Sequence, residues 1–91
     1  MSEASGRFEI KNRLGLHARA ATKPVQPATR FACDVTVARA GQVANAKSVM
    51  GVLLLCGSKG SEVEVEATGE GAEQAVAAIG RLIDDLFGEG E

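Results

Sequence analysis

The stretch "GLHARAATKPVQPATRF", residues 15–31, holds the chain's one histidine, His17, with Arg19 two places on. An imidazole can accept and release a group near neutral pH, and this one precedes a helical stretch whose first backbone N–H groups lack partners within the helix. Such amides attract anions, and a guanidinium matches phosphate oxygens. A neutral His17 attacking a phosphoryl donor would therefore yield a phosphoimidazole held by those amides and by Arg19. On the residues alone the plainer alternative stays open, a solvent-exposed or capping histidine with no role. A His-dependent hydrolase is disfavoured, because neither GxSxG nor an adjacent cysteine supplies its nucleophile. The pattern suits a carrier of a group rather than a full active site.

Ser48 is the second candidate. It stands between Lys47 and an apolar run, where it can cap a helix or carry a phosphate favoured by the helix dipole and free amides. In "KSVMGVLLL" the residues Val49, Met50, Val52, Leu53, Leu54 and Leu55 go almost all the way round a short helix. A helix buries only one side against its own sheet, so part of this surface must cover something else.

These residues need a frame, and 91 residues make one domain, 1–91, with a single two-layer core and ends at 1–6 and 88–91 expected to fray. "RFEIKN" alternates Phe8 and Ile10 with charged residues, as a half-buried strand does. Residues 35–39 and 42–45 read as a hairpin turning at Ala40-Gly41. "EVEVEA" is a last strand with Val63, Val65 and Ala67 inward. A final helix places Ala72, Ala75, Val76, Ile79, Leu82, Ile83, Leu86 and Phe87 on one stripe, with Glu70 and Glu73 in its first turns and Gly88 past its end. Strand, helix, strand, strand, helix, strand, helix implies an α+β fold: one largely antiparallel sheet with helices on one face and water on the other.

Composition narrows the partners. A net charge of -2, three phenylalanines and no tyrosine or tryptophan leave no basic surface or aromatic platform for nucleic acid. No apolar run approaches the ~20 residues of a membrane span, and "MSEASGRFEI" lacks the order of a signal peptide, so the expectation is a cytoplasmic protein without membrane insertion. Cys33 and Cys56, with no CxxC and one histidine, indicate neither a metal site nor a disulfide; two buried thiols are expected.

"GLHAR" followed at the family spacing by "AKSVMGVLLL" resembles the HPr family of phosphocarriers of the bacterial phosphoenolpyruvate:sugar phosphotransferase system, over residues 7–87. The resemblance implies a βαββαβα open-faced sandwich, a four-stranded antiparallel sheet backed by three helices. It implies that His17 takes a phosphoryl group on Nδ1 from enzyme I and passes it to IIA proteins, that Arg19 stabilises it, and that Ser48 is the serine which HPr kinase/phosphorylase modifies in many bacteria. Val49, Met50 and Leu53 would then form a docking patch beside His17, with Val52 and Leu55 toward the core. Arg19, Lys23, Arg30 and Lys47 rim that patch and suit acidic partners in fast, weak exchange. The implied protein is a monomeric, stoichiometric carrier without cofactors. The alternative is a regulatory protein of the same fold, serving a nitrogen-related branch or kinase-controlled signalling with no sugar route.

The departures from the family lie in the first helix, where Ala20 replaces the usual proline and Pro24 and Pro27 replace helix formers. Each proline removes a hydrogen bond, to the carbonyls of Ala20 and Lys23, at about 3 kcal/mol apiece in a helix interior. The expectation is a helix kinked near residues 20–24. The other outcome is a loop over residues 18–23 with the helix beginning close to Pro24, which would draw the free amides away from His17.

Overall fold

A computed structural model of the chain describes residues 3–12, 15, 18–55 and 58–86. The elements run β1 (Glu3–Glu9), α1 (Ala18–Arg30), β2 (Asp34–Arg39), β3 (Gln42–Asn45), α2 (Val49–Leu54), β4 (Glu62–Thr68) and α3 (Ala72–Asp84). The strands form one four-stranded sheet in the order β1-β4-β2-β3, every neighbouring pair antiparallel. This is the expected βαββαβα arrangement.

Alternation along the strands assigns the two faces. Val63, Val65 and Ala67 of β4 and Val35 and Val37 of β2 point into the core, where they meet Ala72, Ala75, Val76, Ile79 and Ile83 of α3. The opposite face carries Glu3, Ser5, Arg7 and Glu9 of β1 beside Glu62, Glu64 and Glu66 of β4. Small residues let α3 lie close to the sheet: a Cβ added to Gly80 would stand 2.5 Å from the ring of Phe8, so that ring occupies the space a side chain would take.

Two expectations change. Residues 3–6 do not fray but pair with β4, from Glu3↔Thr68 to Gly6↔Val65. Their inward positions are Ala4 and Gly6, too small to display an apolar alternation, yet Ala4 packs against the core. At the other end, α3 stops at Asp84, short of the Phe87 expected from its stripe, and Leu86 lies in the left-handed region at φ 58. Asp84 and Asp85 put negative charge at the negative end of the helix dipole, which disfavours continuation. Glu70 lies before α3, leaving Glu73 as the acidic residue in its first turn. Phe87, Gly88 and residues 89–91 fall outside the described residues, as does Cys56; Cys33 is a buried free thiol.

Of the two outcomes for the first helix, the structure has the helical one: α1 runs from Ala18 to Arg30 through both prolines. The loop over residues 18–23 is therefore overturned. Ala20, Pro24 and Ala28 recur every four residues on one buried stripe, so the ring of Pro24 is part of the core-facing seam. Packing of that stripe against the core offsets the missing bonds, as tertiary burial routinely outweighs local propensity.

Two predictions follow from these contacts. Pro27 is only half-buried, so Pro27→Ala restores a donor to the Lys23 carbonyl with little loss of packing. After the extra freedom of the unfolded chain is deducted, a gain of about 2 kcal/mol in urea unfolding is expected, and a loss would show the ring to matter more than the bond.

On the open face, a hydrogen bond between the Glu64 and Glu66 carboxyls lowers the pKa of Glu64, aided by Arg7, and raises that of Glu66, with the charges of Glu64 and Glu3 adding to the rise. The raised Glu66 stabilises the fold while protonated and loses that contribution as pH climbs through its pKa; the lowered Glu64 contributes at higher pH and loses it on acidification. Glu66→Gln is expected to raise the urea midpoint slightly at neutral pH. That advantage should vanish once both carboxyls would be protonated, and equal midpoints at neutral pH would contradict the pairing.

Candidate functional site

The chain reaches α1 through a short anchored segment. As β1 ends, Ile10 exchanges two backbone hydrogen bonds with the loop before β4: its N–H donates to the Ser61 carbonyl at 2.8 Å, and the Gly60 N–H donates to its carbonyl at 2.8 Å. Two residues on, Asn12 is fully buried, alone among the described polar and charged residues in that respect. Its Nδ2 donates to the Gly15 carbonyl at 2.8 Å, while the Gly15 N–H donates to the Asn12 carbonyl at 3.1 Å. Gly15 sits at φ 66, the left-handed region that glycine enters without steric cost. Residues 12 and 15 are thus clasped to each other, and α1 begins three residues later at Ala18.

His17 lies outside the described residues, in the covalent link between this clasp and α1. Arg19 is the second residue of α1, with its side chain outside what is described. The amides of the first turn of α1 have no carbonyl partners inside that helix, so its N-terminus offers donors to an anion. α1 packs against both α2 and α3, which ties this end of the molecule to the core.

The second candidate residue is fully placed. Ser48 is the N-cap of α2: its backbone is extended at φ -113, ψ 114, and its Oγ accepts from the Gly51 N–H at 3.1 Å. The turn before it is held by the Asn45 side chain, whose Oδ1 accepts from the Lys47 N–H at 2.9 Å, and by the Ser48 N–H donating to the Asn45 carbonyl at 3.0 Å. The Lys47 ammonium donates to the Phe31 carbonyl at 3.1 Å, stitching the entry of α2 to the chain just beyond α1.

Around Ser48 the apolar surface divides. Val52 and Leu55 are buried, as expected of the inner side of α2. Val49 and Leu53 are half-buried and pack on the core, whereas Met50 is 66% exposed. Two large apolar residues outside the expected patch are equally open: Leu54 and Val43, each 68% exposed, which line a groove between β3 and α2 together with Ser48, Gly51 and Leu55. Leu54 follows Met50 by four positions and so shares its outer face, a relation present in the sequence but obscured by the unbroken apolar run. Among the rim cations, Lys23 is half-buried and Arg30 exposed, while Lys47 is engaged by Phe31.

The sequence reading passed over Asn12 because a single asparagine at a strand end looks like an ordinary turn residue; only its burial and its bond to Gly15 distinguish it. Among the described residues no group of His, Cys, Asp and Glu is gathered to hold a metal, and no helix is long and apolar enough to cross a membrane.

Comparison with known proteins places residues 4–85 within a family model described as "PTS HPr component phosphorylation site". The phosphocarrier protein HPr of Neisseria meningitidis is 43% identical over 84 residues, covering 92% of this chain and 94% of its own. The phosphocarrier protein NPr of Shewanella violacea is 37% identical over 89 residues, 98% of each chain. The crystal structure of HPr-C-His from Thermoanaerobacter tengcongensis superposes with a TM-score of 0.86 at 42% identity, covering 98% of both chains.

The cap geometry yields a direct test. Ser48→Ala deprives the Gly51 amide of its acceptor and should cost about 1 kcal/mol in urea unfolding, whereas Ser48→Asp, which can cap and places negative charge at the positive end of α2, should retain most of that stability. Equal stability of Ser48→Ala and the parent would mean that water serves the Gly51 amide as well as the hydroxyl does.

Proposed function

The chain belongs to the HPr family of phosphotransferase-system phosphocarriers, and on that premise we propose that it accepts a phosphoryl group on Nδ1 of His17 from phosphorylated enzyme I and passes it to IIA proteins in the cytoplasm. In the first transfer a bond forms between phosphorus and the His17 imidazole as the bond to the donor breaks, and the second transfer repeats this with an IIA acceptor. The observation that carries the reading is the position of the chain's one imidazole: it lies within the family match and is joined directly to Ala18, the first residue of an amide-bearing helix N-terminus. Arg19 supplies a guanidinium for the phosphoryl oxygens.

Docking uses the outer side of α2. Met50 presents the exposed apolar contact, Val49 and Leu53 support it from half-buried positions, and Lys23 adds positive charge for an acidic partner. Ser48 is the control point, open to a kinase of the HPr kinase/phosphorylase type. A phosphate there would add negative charge beside Met50 and repel the acidic surface that the cations attract. The resemblance to the NPr of Shewanella violacea favours a second reading, in which the same transfer serves a nitrogen-related regulatory branch instead of sugar uptake.

Incubation with phosphoenolpyruvate and enzyme I tests the proposal. The expected label is lost in acid and survives alkali, as phosphohistidine does, and is absent from His17→Ala; label that persists in that variant would sink the carrier reading. Comparing enzyme I of a sugar route with its nitrogen-branch counterpart as donor separates the two readings, and labelling by kinase and ATP that disappears in Ser48→Ala tests the control point.

A further inference from the structure

The clasp between Asn12 and Gly15 lies immediately upstream of His17 and is built from a fully buried polar side chain, a costly component in a core this small. We infer that Asn12 is a positioning residue for phosphoryl transfer: its Nδ2–H bond to the Gly15 carbonyl sets where the chain emerges before His17 and so where the imidazole stands relative to the N-terminus of α1. This inference rests on the phosphocarrier reading of His17.

The geometry supports a positioning role in three ways. The two bonds run in opposite directions between the same pair of residues, side chain to backbone at 2.8 Å and backbone to backbone at 3.1 Å, which fixes their separation and their relative orientation. The clasp has a rigid foundation, because Ile10 is fully buried and doubly bonded to residues 60 and 61 at the entry to β4. Gly15 ends the clasp in a left-handed conformation, and one residue separates it from His17, so little chain remains in which an altered angle at Gly15 could be absorbed. In-line transfer is sensitive to displacements of about 1 Å, which can cost on the order of a hundredfold in rate.

The chemistry of the bond supplies a selective test. Asn12→Ala removes the donor. Asn12→Asp keeps the shape but sets a carboxylate against the Gly15 carbonyl, and protonation of that carboxyl, whose pKa burial raises, restores an O–H donor. With each variant as acceptor for phosphorylated enzyme I, at a temperature where circular dichroism shows it folded, the saturating transfer rate is expected to fall at least about tenfold, with KM, set mainly by the docking surface of α2, to which Asn12 does not belong, changed less than about twofold. For Asn12→Asp the rate relative to the parent should recover as pH falls, which also cancels the titration of His17 itself; Asn12→Ala should show no recovery. Unchanged saturating rates in the folded variants, or a relative rate for Asn12→Asp that is flat with pH, would overturn the positioning role and leave Asn12 a purely structural residue.

Should either variant fail to fold, the parent chain supplies the readout: the NMR signals of the Asn12 side-chain amide and the Gly15 N–H are expected to shift when His17 is phosphorylated, and their insensitivity would likewise overturn the inference. Failure of the parent to accept any phosphoryl group would instead count against the phosphocarrier reading, so the two failures are distinct.

Discussion

Burial of one face of β4 is the interaction on which the remainder of the molecule depends. β4 is hydrogen-bonded to β1 on one side and β2 on the other, and Val63, Val65 and Ala67 turn the same face toward the helices. Each buried valine contributes about 1.5–3 kcal/mol relative to exposure, a large share of the roughly 5–15 kcal/mol by which such domains are stable. With Glu62, Glu64 and Glu66 on the alternate positions, a slip of one residue would bury three carboxylates and expose the valines. The register is therefore imposed by charge as much as by hydrophobicity, and it determines which side of the sheet the helices can occupy.

From that strand the constraint passes to the candidate site. Ile10 extends the order of the β1–β4 pair one step beyond the strand by bonding to Ser61 and Gly60, and Asn12 carries it to Gly15. α1 is held from its other side by Ala20, Pro24 and Ala28, and from its end by Lys47 on the Phe31 carbonyl. The segment containing His17 thus spans two anchored points. A proline-bearing helix serves here because α1 is kept in place by the seam it buries, so the helix still begins at Ala18 despite the loss of two internal hydrogen bonds.

The legible parts of this chain were those where side-chain size and polarity alternate strongly. Val63 to Ala67 between glutamates, the hairpin turning at Ala40-Gly41 and the stripe of α3 needed no structure to be read. The illegible parts share a cause. Ala4 and Gly6 pack inward without announcing it, because an inward alanine or glycine carries little hydrophobic signal. The prolines of α1 suggested a kink and left a loop over residues 18–23 open as the other outcome, because local propensity is written in the sequence and the packing that keeps the helix together is not. In α2 the whole circumference is apolar, so the sequence could tell that surplus surface existed but not that Leu54 and Val43 would share it with Met50. Asn12 was invisible for a different reason: its importance lies in a bond to a backbone atom, which no residue identity three positions away reveals.

The division of the α2 surface bears on how a carrier can bind its partners yet release them. Val49 and Leu53 are partly buried against the protein's own core, so a partner docking on the proposed face would gain mainly from covering Met50 and what remains of its neighbours. At about 25 cal/mol per Å² such an area adds modestly to affinity, and association must first overcome several kcal/mol of lost freedom. Lys47, already bonded to Phe31, would on that reading contribute charge without the entropy cost of being immobilised at the moment of docking. Small apolar area with preset charge favours fast encounter over long residence, which is what a protein that must visit a donor and then an acceptor requires. On the positioning role proposed for Asn12, the bonds at Asn12, Gly15 and the Ser48 cap would serve the same end: with little left to reorganise on contact, weak binding would suffice to align the reacting groups.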